Sequence, residues 1–475
     1  MSDKLTRRDF LRLGALTAAG AALAGCATPT PQVVRETVEV PQTVEVPVKE
    51  TVVVQPTEPP ATVPPAPEPA NLVIAVGTGE FSDEALETFL GQAKLVAGVE
   101  RLEPDATRLR AMFAAATPPD IWCGSGADVP EVVRLGWPLD LTEFFQISQV
   151  LKPDDMQPAV GYFQYRGGWY GMHKDFSCDM QLQINAAAFE EAGLPVPEPK
   201  KLYTYQDAAE WARALTKKEG ERTLRIGWAD NEWWDGILQN VLAENEEELF
   251  VDDFTRANIK DNQTVRDVLA FYAQLARENV IWNPLNPSPS WPGDDYVTGR
   301  AAMIRYGYWM HGIVVGTAPE DLAAPIEKFV MLPGLSWGGK KIVDPPMGGA
   351  GWFIARATQA PLAAWELFEY YMGGPPAEER ARSGWGLPAL KSLMPLVPQE
   401  TEFDKQWYEA VVWELENTVQ KPRQLNPFIS TGNINSAWQT NFELYLKGDI
   451  TLDEAIDNTD KEVNTALRER ISALG

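Results

Sequence analysis

Residues 71–96, NLVIAVGTGEFSDEALETFLGQAKLV, decide how this chain is built. The run 71–77 is short, apolar and closed by glycine, the pattern of a buried strand. From Phe81 onward the apolar residues recur at helical spacing, with Ser82 placed as the N-cap. A strand followed at once by a helix is the unit of an α/β lobe, and the unit repeats. ERLEP (100–104) precedes DATRLRAMFAAA (105–116), and the strand-like DIWCG (120–124) precedes DVPEVVRLG (128–136). Such alternation predicts a largely parallel sheet whose ligand crevice lies beyond the carboxyl ends of its strands. From about Gln181 the texture is more helical: NAAAFEEAG (185–193), TYQDAAEWARALTKKEG (204–220), NQTVRDVLAFYAQLAREN (262–279) and PLAAWELFEYYMGG (361–374) all space their apolar residues at i, i+3, i+4.

Ahead of this body lies a different composition. TRRDFLRLGALTAAGAALAGC (6–26) holds an apolar run, 13–25, too short for the roughly 20 residues of a membrane-crossing helix. Lys4, Arg7, Arg8 and Arg12 precede it and small residues close it, the order of a secretory signal spanning 1–25. Arg7-Arg8 before Asp9-Phe10-Leu11 resembles a twin-arginine signal, although an ordinary basic leader has the same layout. Leu23-Ala24-Gly25-Cys26 resembles a bacterial lipobox, which would make Cys26 the acylated first residue of the mature chain. Residues 26–70 follow as a Pro-, Val-, Thr- and Glu-rich tether. Its prolines remove hydrogen-bond donors, so an extended spacer of about 3.1 Å per residue is expected, reaching on the order of 100 Å.

The 475 residues carry 67 acidic and 41 basic side chains, a net charge of -26. Such a field repels nucleic acid, whose phosphates need Lys and Arg to replace their counterions. Beyond Cys26 the cysteines are Cys123 and Cys178, which either pair in an oxidising compartment or stand as small buried thiols. No later segment approaches 18 uninterrupted apolar residues. His173 and His311 are the two histidines and sit in different segments, so neither a zinc site nor a catalytic triad is indicated. The glycine-rich 348–351 lacks the lysine and hydroxyl of a phosphate loop, and the acidic pairs show no EF-hand spacing. No metal or cofactor is implied.

The order of segments carries a resemblance. TPPDIW (117–122), WPLDLTEFF (137–145), GGWYGMHKD (167–175), LQINAAAFEEAGLPVPEPKKLYTYQDAAEWARAL (182–215), YVTGRAAMIRYGYWM (296–310), FVMLPG (329–334), GGAGWFIAR (348–356), GLPALKSL (386–393) and TLDEAIDNTDKEV (451–463) follow one another as in family 1 of the extracellular solute-binding proteins of ABC transporters, the group of maltose-binding protein. His173 stands where that family usually has proline, and Ile184-Asn185 where it has Tyr-Asn. The resemblance implies an α/β, two-lobed periplasmic-binding-protein-like fold of type II, hinged between the lobes. Lobe one would comprise 71–175 plus 348–376, and lobe two 180–345 plus 380–475.

It also implies the function. A non-enzymatic, lipid-anchored receptor on the outer face of the cytoplasmic membrane would capture a carbohydrate and deliver it to ABC permease subunits, as a monomer and without nucleic acid. A surface glycoside hydrolase, a receptor for a non-sugar solute and an adhesive surface protein are the alternatives. Sugar sites combine aromatic walls with a few placed polar groups. Trp309 occupies the tryptophan of the family's Gly-x-Trp element, a stacking platform in sugar-binding members. GWADNEWWDG (227–236) crowds Trp228, Trp233 and Trp234 with Asp230, either as a cleft wall or as a loop buttress. Gly124, Ser125 and Asp128 follow the DIWCG strand, where a ligand contact competes with a plain turn and N-cap. Asp175 and Asp179 flank the first expected crossing between lobes, with Cys178 near a polar contact of the family. Trp385 and Trp352 complete the candidates.

Overall fold

The computed structural model describes residues 68–220, 222–230 and 234–473. The leader, Cys26, the tether as far as residue 67 and Trp233 lie outside the described residues. Strand β1 (Ala70–Ala75) buries Leu72 and Ile74, as the apolar run dictates. The helix Asp83–Leu90 follows, with the Ser82 hydroxyl accepting from the Ala85 amide and Leu86 and Phe89 turned to the core. β1 runs parallel to β2 (Val96–Leu102) on one side and to β3 (Ile121–Ser125) on the other. The sheet is completed from far along the chain. β16 (Ala350–Ile354) lies antiparallel to β3, and β6 (Met172–His173) closes the edge, giving the order β2-β1-β3-β16-β6.

A second sheet has the order β14 (Phe329–Gly334), β8 (Gln181–Asn185), β13 (Ala301–Tyr306), β10 (Arg222–Ala229), β9 (Lys217–Glu219). It is mixed: β10 and β13 are parallel, whereas β8 runs against both β13 and β14. All five residues of β8 are buried, so its alternating glutamines must be satisfied internally. Gln183 does this by imitating a strand edge, donating to the Tyr306 carbonyl and accepting from the Tyr306 amide. The helical segments form as Tyr205–Leu215, Gln263–Glu278 and Pro361–Gly373. Thr204 and Asp207 make a reciprocal capping box, and Asn262 caps the next helix. One boundary differs from the periodicity: 217–219 leaves the helix and becomes the edge strand β9. The Thr216 hydroxyl bonds the Ala212 carbonyl and accepts the Gly227 amide, which ends the helix and draws the chain into the sheet.

Two separate hydrophobic cores, one around Leu72, Ile121 and Phe368 and one around Leu182, Val265 and Trp438, give the fold its two lobes. Between the sheets stands a third, three-stranded one: β15 (Pro346–Gly348), β7 (Asp175–Cys178), β17 (Leu387–Pro388). β7 leads from β6 of the first sheet into β8 of the second, and β15 leads from the second sheet back into β16 of the first. Two short hairpins complete the strands, β4 (Gln164–Tyr165) with β5 (Gly168–Trp169) and β11 (Phe250–Val251) with β12 (Arg256–Ala257). Arg166 and Gly167 both have positive φ, 50° and 86°, the two-residue turn that matches strand twist. His173, in the place of the family's proline, is fully buried with Nε2 2.9 Å from the Ala159 carbonyl.

Candidate functional site

β3 ends in Gly124 and Ser125, where the Ser125 hydroxyl accepts from the Ala127 amide and turns the chain out of the sheet. Ala350 pairs with Ser125 across the antiparallel register, which sets Gly349 at the same carboxyl end. From the other lobe the helix Trp234–Glu244 presents Asp235 and Gly236, and the helix Thr431–Lys447 presents Thr431 and Asn435. With Arg423 and with Asp179, just past β7, these groups enclose a cavity of about 480 Å³.

The chemistry of the cavity is set by three charged side chains that are each more than nine-tenths buried: Asp179, Asp235 and Arg423. Asp179 Oδ1 accepts from the Ser177 hydroxyl at 2.9 Å, and the Trp309 indole edge lies beside the same carboxylate. Asp235 Oδ1 accepts from Gln239 at 3.0 Å, while the Asp235 amide donates to Asn435 Oδ1 at 2.8 Å. Burial pushes the Asp179 carboxyl up to about 6, against the pull of Arg423, and pushes Asp235 up as well. At about 6 Asp179 is still ionised at neutral pH and presents acceptors to a hydroxylated solute. Gly307 makes room for this wall. A Cβ there would come within 2.0 Å of Ser177 Oγ and 2.6 Å of Asp179, so only glycine lets the Gly-Tyr-Trp turn lie on β7.

Behind Arg423 sits a second buried layer. Its Nε donates to Asn240 Oδ1 at 3.1 Å, and Nη2 lies 3.7 Å from Asp344. Asp344 accepts the Met180 amide, and Glu414 accepts the Gly334 amide and Gln181 Nε2. Burial pushes both carboxyls upward, and the Asp344 charge raises Glu414 further. Cys178 Sγ is within 4.8 Å of this pair and is fully buried, which pushes its thiol up. Cys123 and Cys178 are both free thiols.

The structure separates the candidate residues. Gly124, Ser125 and Asp179 line the one cavity, and Trp309 abuts it through Asp179. Asp175, on β7, is buried at 8 % exposure with its carboxyl pushed up to about 6 by desolvation, 3.9 Å from Lys174. Trp385, 38 % exposed, lines a 250 Å³ cavity with Lys174 and Arg380. Asp128 belongs to a third cavity, of about 220 Å³, with Trp122 and Arg110, and its side chain makes no helix cap. Asp230 is bound by Arg305 Nη2 at 2.6 and 2.8 Å and by the Tyr272 hydroxyl at 2.7 Å, and also borders a cavity of about 270 Å³. Trp228, Trp234 and Trp352 are corrected from wall to core. They are at most 2 % exposed: Trp228 lies among Tyr205, Tyr272 and Arg305, Trp234 against Phe442, and Trp352 stacks on Tyr371 at 3.8 Å. Cys178, with no exposed surface, likewise presents nothing to a ligand. Asp235, Arg423 and Asn435 escaped the sequence reading. Asp235 directly follows the tryptophan pair and was there to be weighed; Arg423 and Asn435 carry no local signal and arrive only by long-range folding.

A family model for bacterial extracellular solute-binding proteins matches residues 99–405. No curated protein sequence matches the chain. Among solved structures, an ABC substrate-binding protein from Listeria monocytogenes in complex with cycloalternan is similar with a TM-score of 0.69 at 21% identity, over 84% of this chain and 99% of that one. A solute-binding protein from Thermotoga lettingae bound with alpha-D-tagatose gives 0.67 at 20% identity, over 84% and 99%. The sugar-binding protein MalE from Xanthomonas citri gives 0.64 at 19% identity, over 85% and 99%. At these identities the likeness is one of fold.

Proposed function

Because the chain belongs to the bacterial extracellular solute-binding protein family, we propose that it is the lipid-anchored binding component of an ABC importer, capturing a carbohydrate between its two lobes and handing it to membrane permease subunits. The observation that carries this reading is the wall of the 480 Å³ cavity, where Asp179, Asp235 and Arg423 converge beside Trp309. Sugar hydroxyls donate to the two carboxylates and accept from the guanidinium, while the apolar C–H face of a ring lies against the indole. The carbohydrates bound by the similar structures, cycloalternan and tagatose, support the same class of solute.

The cavity draws on both lobes, and β7, β15 and β17 connect them. Closure would therefore move 71–175 with 348–376 against 180–345 with 380–475. Among the described residues no helix is long and apolar enough to cross a membrane. Attachment to the outer face of the membrane is assigned to an acylated Cys26, and the binding body acts as a monomer.

The test is calorimetric titration of the full chain with a sugar panel, with tryptophan emission followed alongside. Saturable binding with an emission change and unaltered sugar is expected. Binding of another solute class in place of every sugar would overturn the carbohydrate assignment, and sugar hydrolysis would overturn the receptor itself.

A further inference from the structure

The layer behind the cavity wall lies where the chain crosses between the lobes. Cys178 ends β7, the first crossing strand, and Asp344 stands just before β15, the returning one, whose Pro346 pairs with Cys178. Glu414 reaches the same place from the helix Glu402–Asn417. One carboxylate oxygen of each acid and Cys178 Sγ lie within 4.8 Å of one another, and none of the three residues is more than 1 % exposed. Both carboxyls fasten backbone. Asp344 Oδ2 accepts the Met180 amide at 2.9 Å, which ties one crossing to the other, and Glu414 Oε1 accepts the Gly334 amide at 2.8 Å, which ties the end of β14 to the helix. The oxygens converge on Gly334, where a Cβ would meet Glu414 Oε1 at 3.0 Å and both Asp344 Oδ2 and the Met180 carbonyl at 3.3 Å.

The charges around the pair do not balance it. Arg423 Nη2 stands 3.7 Å from Asp344 Oδ1, beyond hydrogen-bond length, while its Nε and Nη1 are committed to Asn240 and to Met347 Sδ. Arg305 on β13 also attracts Asp344, but its guanidinium is bound to Asp230. Asp179 from the first crossing and Asp235 from the helix Trp234–Glu244 draw on the same Arg423, and Cys178, Tyr162 and Tyr205 are neutral neighbours. Two carboxylates this close and this dry cannot both ionise without a large cost. We propose that Asp344 and Glu414 form a proton-held latch on the hinge: a proton on the pair keeps the crossing segments fastened, and opening, which admits water to both carboxyls, releases that proton to solvent. The latched pair holds its proton more tightly than a hydrated one, so the open state binds fewer protons and its population rises with pH. Arg423 belongs to this layer and to the cavity wall alike, so the latch reaches the solute site through one side chain. No assumption about the solute enters, and the latch stands or falls separately from the carbohydrate reading.

Cys178, a free thiol sealed beside the pair, is the reporter. The experiment is alkylation of the folded full chain with iodoacetamide between about pH 5.5 and pH 8, with Cys178 followed by peptide mass spectrometry. Its rate at each pH is divided by that of the same thiol in the urea-unfolded chain, which removes the titration of the thiol itself. The ratio should climb with pH, by up to about tenfold per unit for one proton released. Glu414→Gln, which keeps an acceptor for the Gly334 amide and cannot titrate, should flatten the climb. Hydrogen exchange at the Met180 and Gly334 amides, corrected for intrinsic rates, should follow the same profile in the unsubstituted chain. A ratio independent of pH would overturn the latch. So would a ratio equal at every pH to the globally unfolded population measured in urea, or a climb left unchanged by both Glu414→Gln and Asp344→Asn.

Discussion

Asp179, Asp235 and Arg423 share a property that bears on the proposed binding role: each is largely withdrawn from water, so solvent would compete poorly with a hydrogen bond made to a ligand there. The same burial loads the fold with carboxyls that bind a proton more tightly than they would in water. Asp175, Asp179 and Asp344 are all pushed up to about 6 by desolvation. A carboxyl raised above its unfolded value binds more protons folded than unfolded. The stability it supports is complete below the unfolded value near 4 and is lost as pH rises through about 6. Unfolding midpoints should therefore fall between pH 4 and pH 7, and Asp344→Asn should flatten that slope; a midpoint rising over the interval would refute the assignment. At this scale the sequence was only partly readable. Trp309 and Trp228 are the same residue type beside similar polar neighbours, yet one abuts a cavity and the other is sealed among Tyr205, Tyr272 and Arg305. Local pattern contains no information about which partners will arrive from 75 residues away, the separation between Asp230 and Arg305.

Strands and helices were far more legible, because their signals are local. Ser82, Thr204 and Asn262 cap the helices their spacing marks, and the apolar run 71–77 supplies β1. Thr216 is the instructive exception, since its side chain bonds one turn back and forward to Gly227, ending a helix that the periodicity would extend. The crossing sheet is the element on which closure is proposed to turn, and its packing depends on one position. A Cβ on Gly348 of β15 would fall within 1.9 Å of the His173 ring, which is itself fully buried. Gly348→Ala should therefore cost about 1–3 kcal/mol in urea unfolding, the range for overpacked cores. A wild-type midpoint for that variant would show that β15 yields where the packing says it cannot.

For the whole molecule, charge is distributed unevenly between the first 25 residues, read above as a leader, and the acidic remainder. Residues 1–25 carry four basic and two acidic side chains, leaving -28 on the remainder, a charge that favours solubility and disfavours nucleic acid and anionic surfaces. The proposed delivery to a permease requires something that holds such a body at the membrane. Cys26→Ser should move the protein from the membrane to the soluble fraction after cell fractionation, and retention in the membrane would exclude the lipid-anchor proposal. By itself the amino-acid sequence determined the α/β class, the strand-and-helix order and the collinear motifs of a solute-binding family, all properties written in neighbouring residues. The tertiary structure alone decided which side chains face one another. It returns β16 to β3, brings Arg423 and Asn435 opposite Gly124, and lines Trp291 and Trp385 up with Trp309. A binding cavity is made where distant segments meet, and that meeting is set by the packing of two cores rather than by any local pattern.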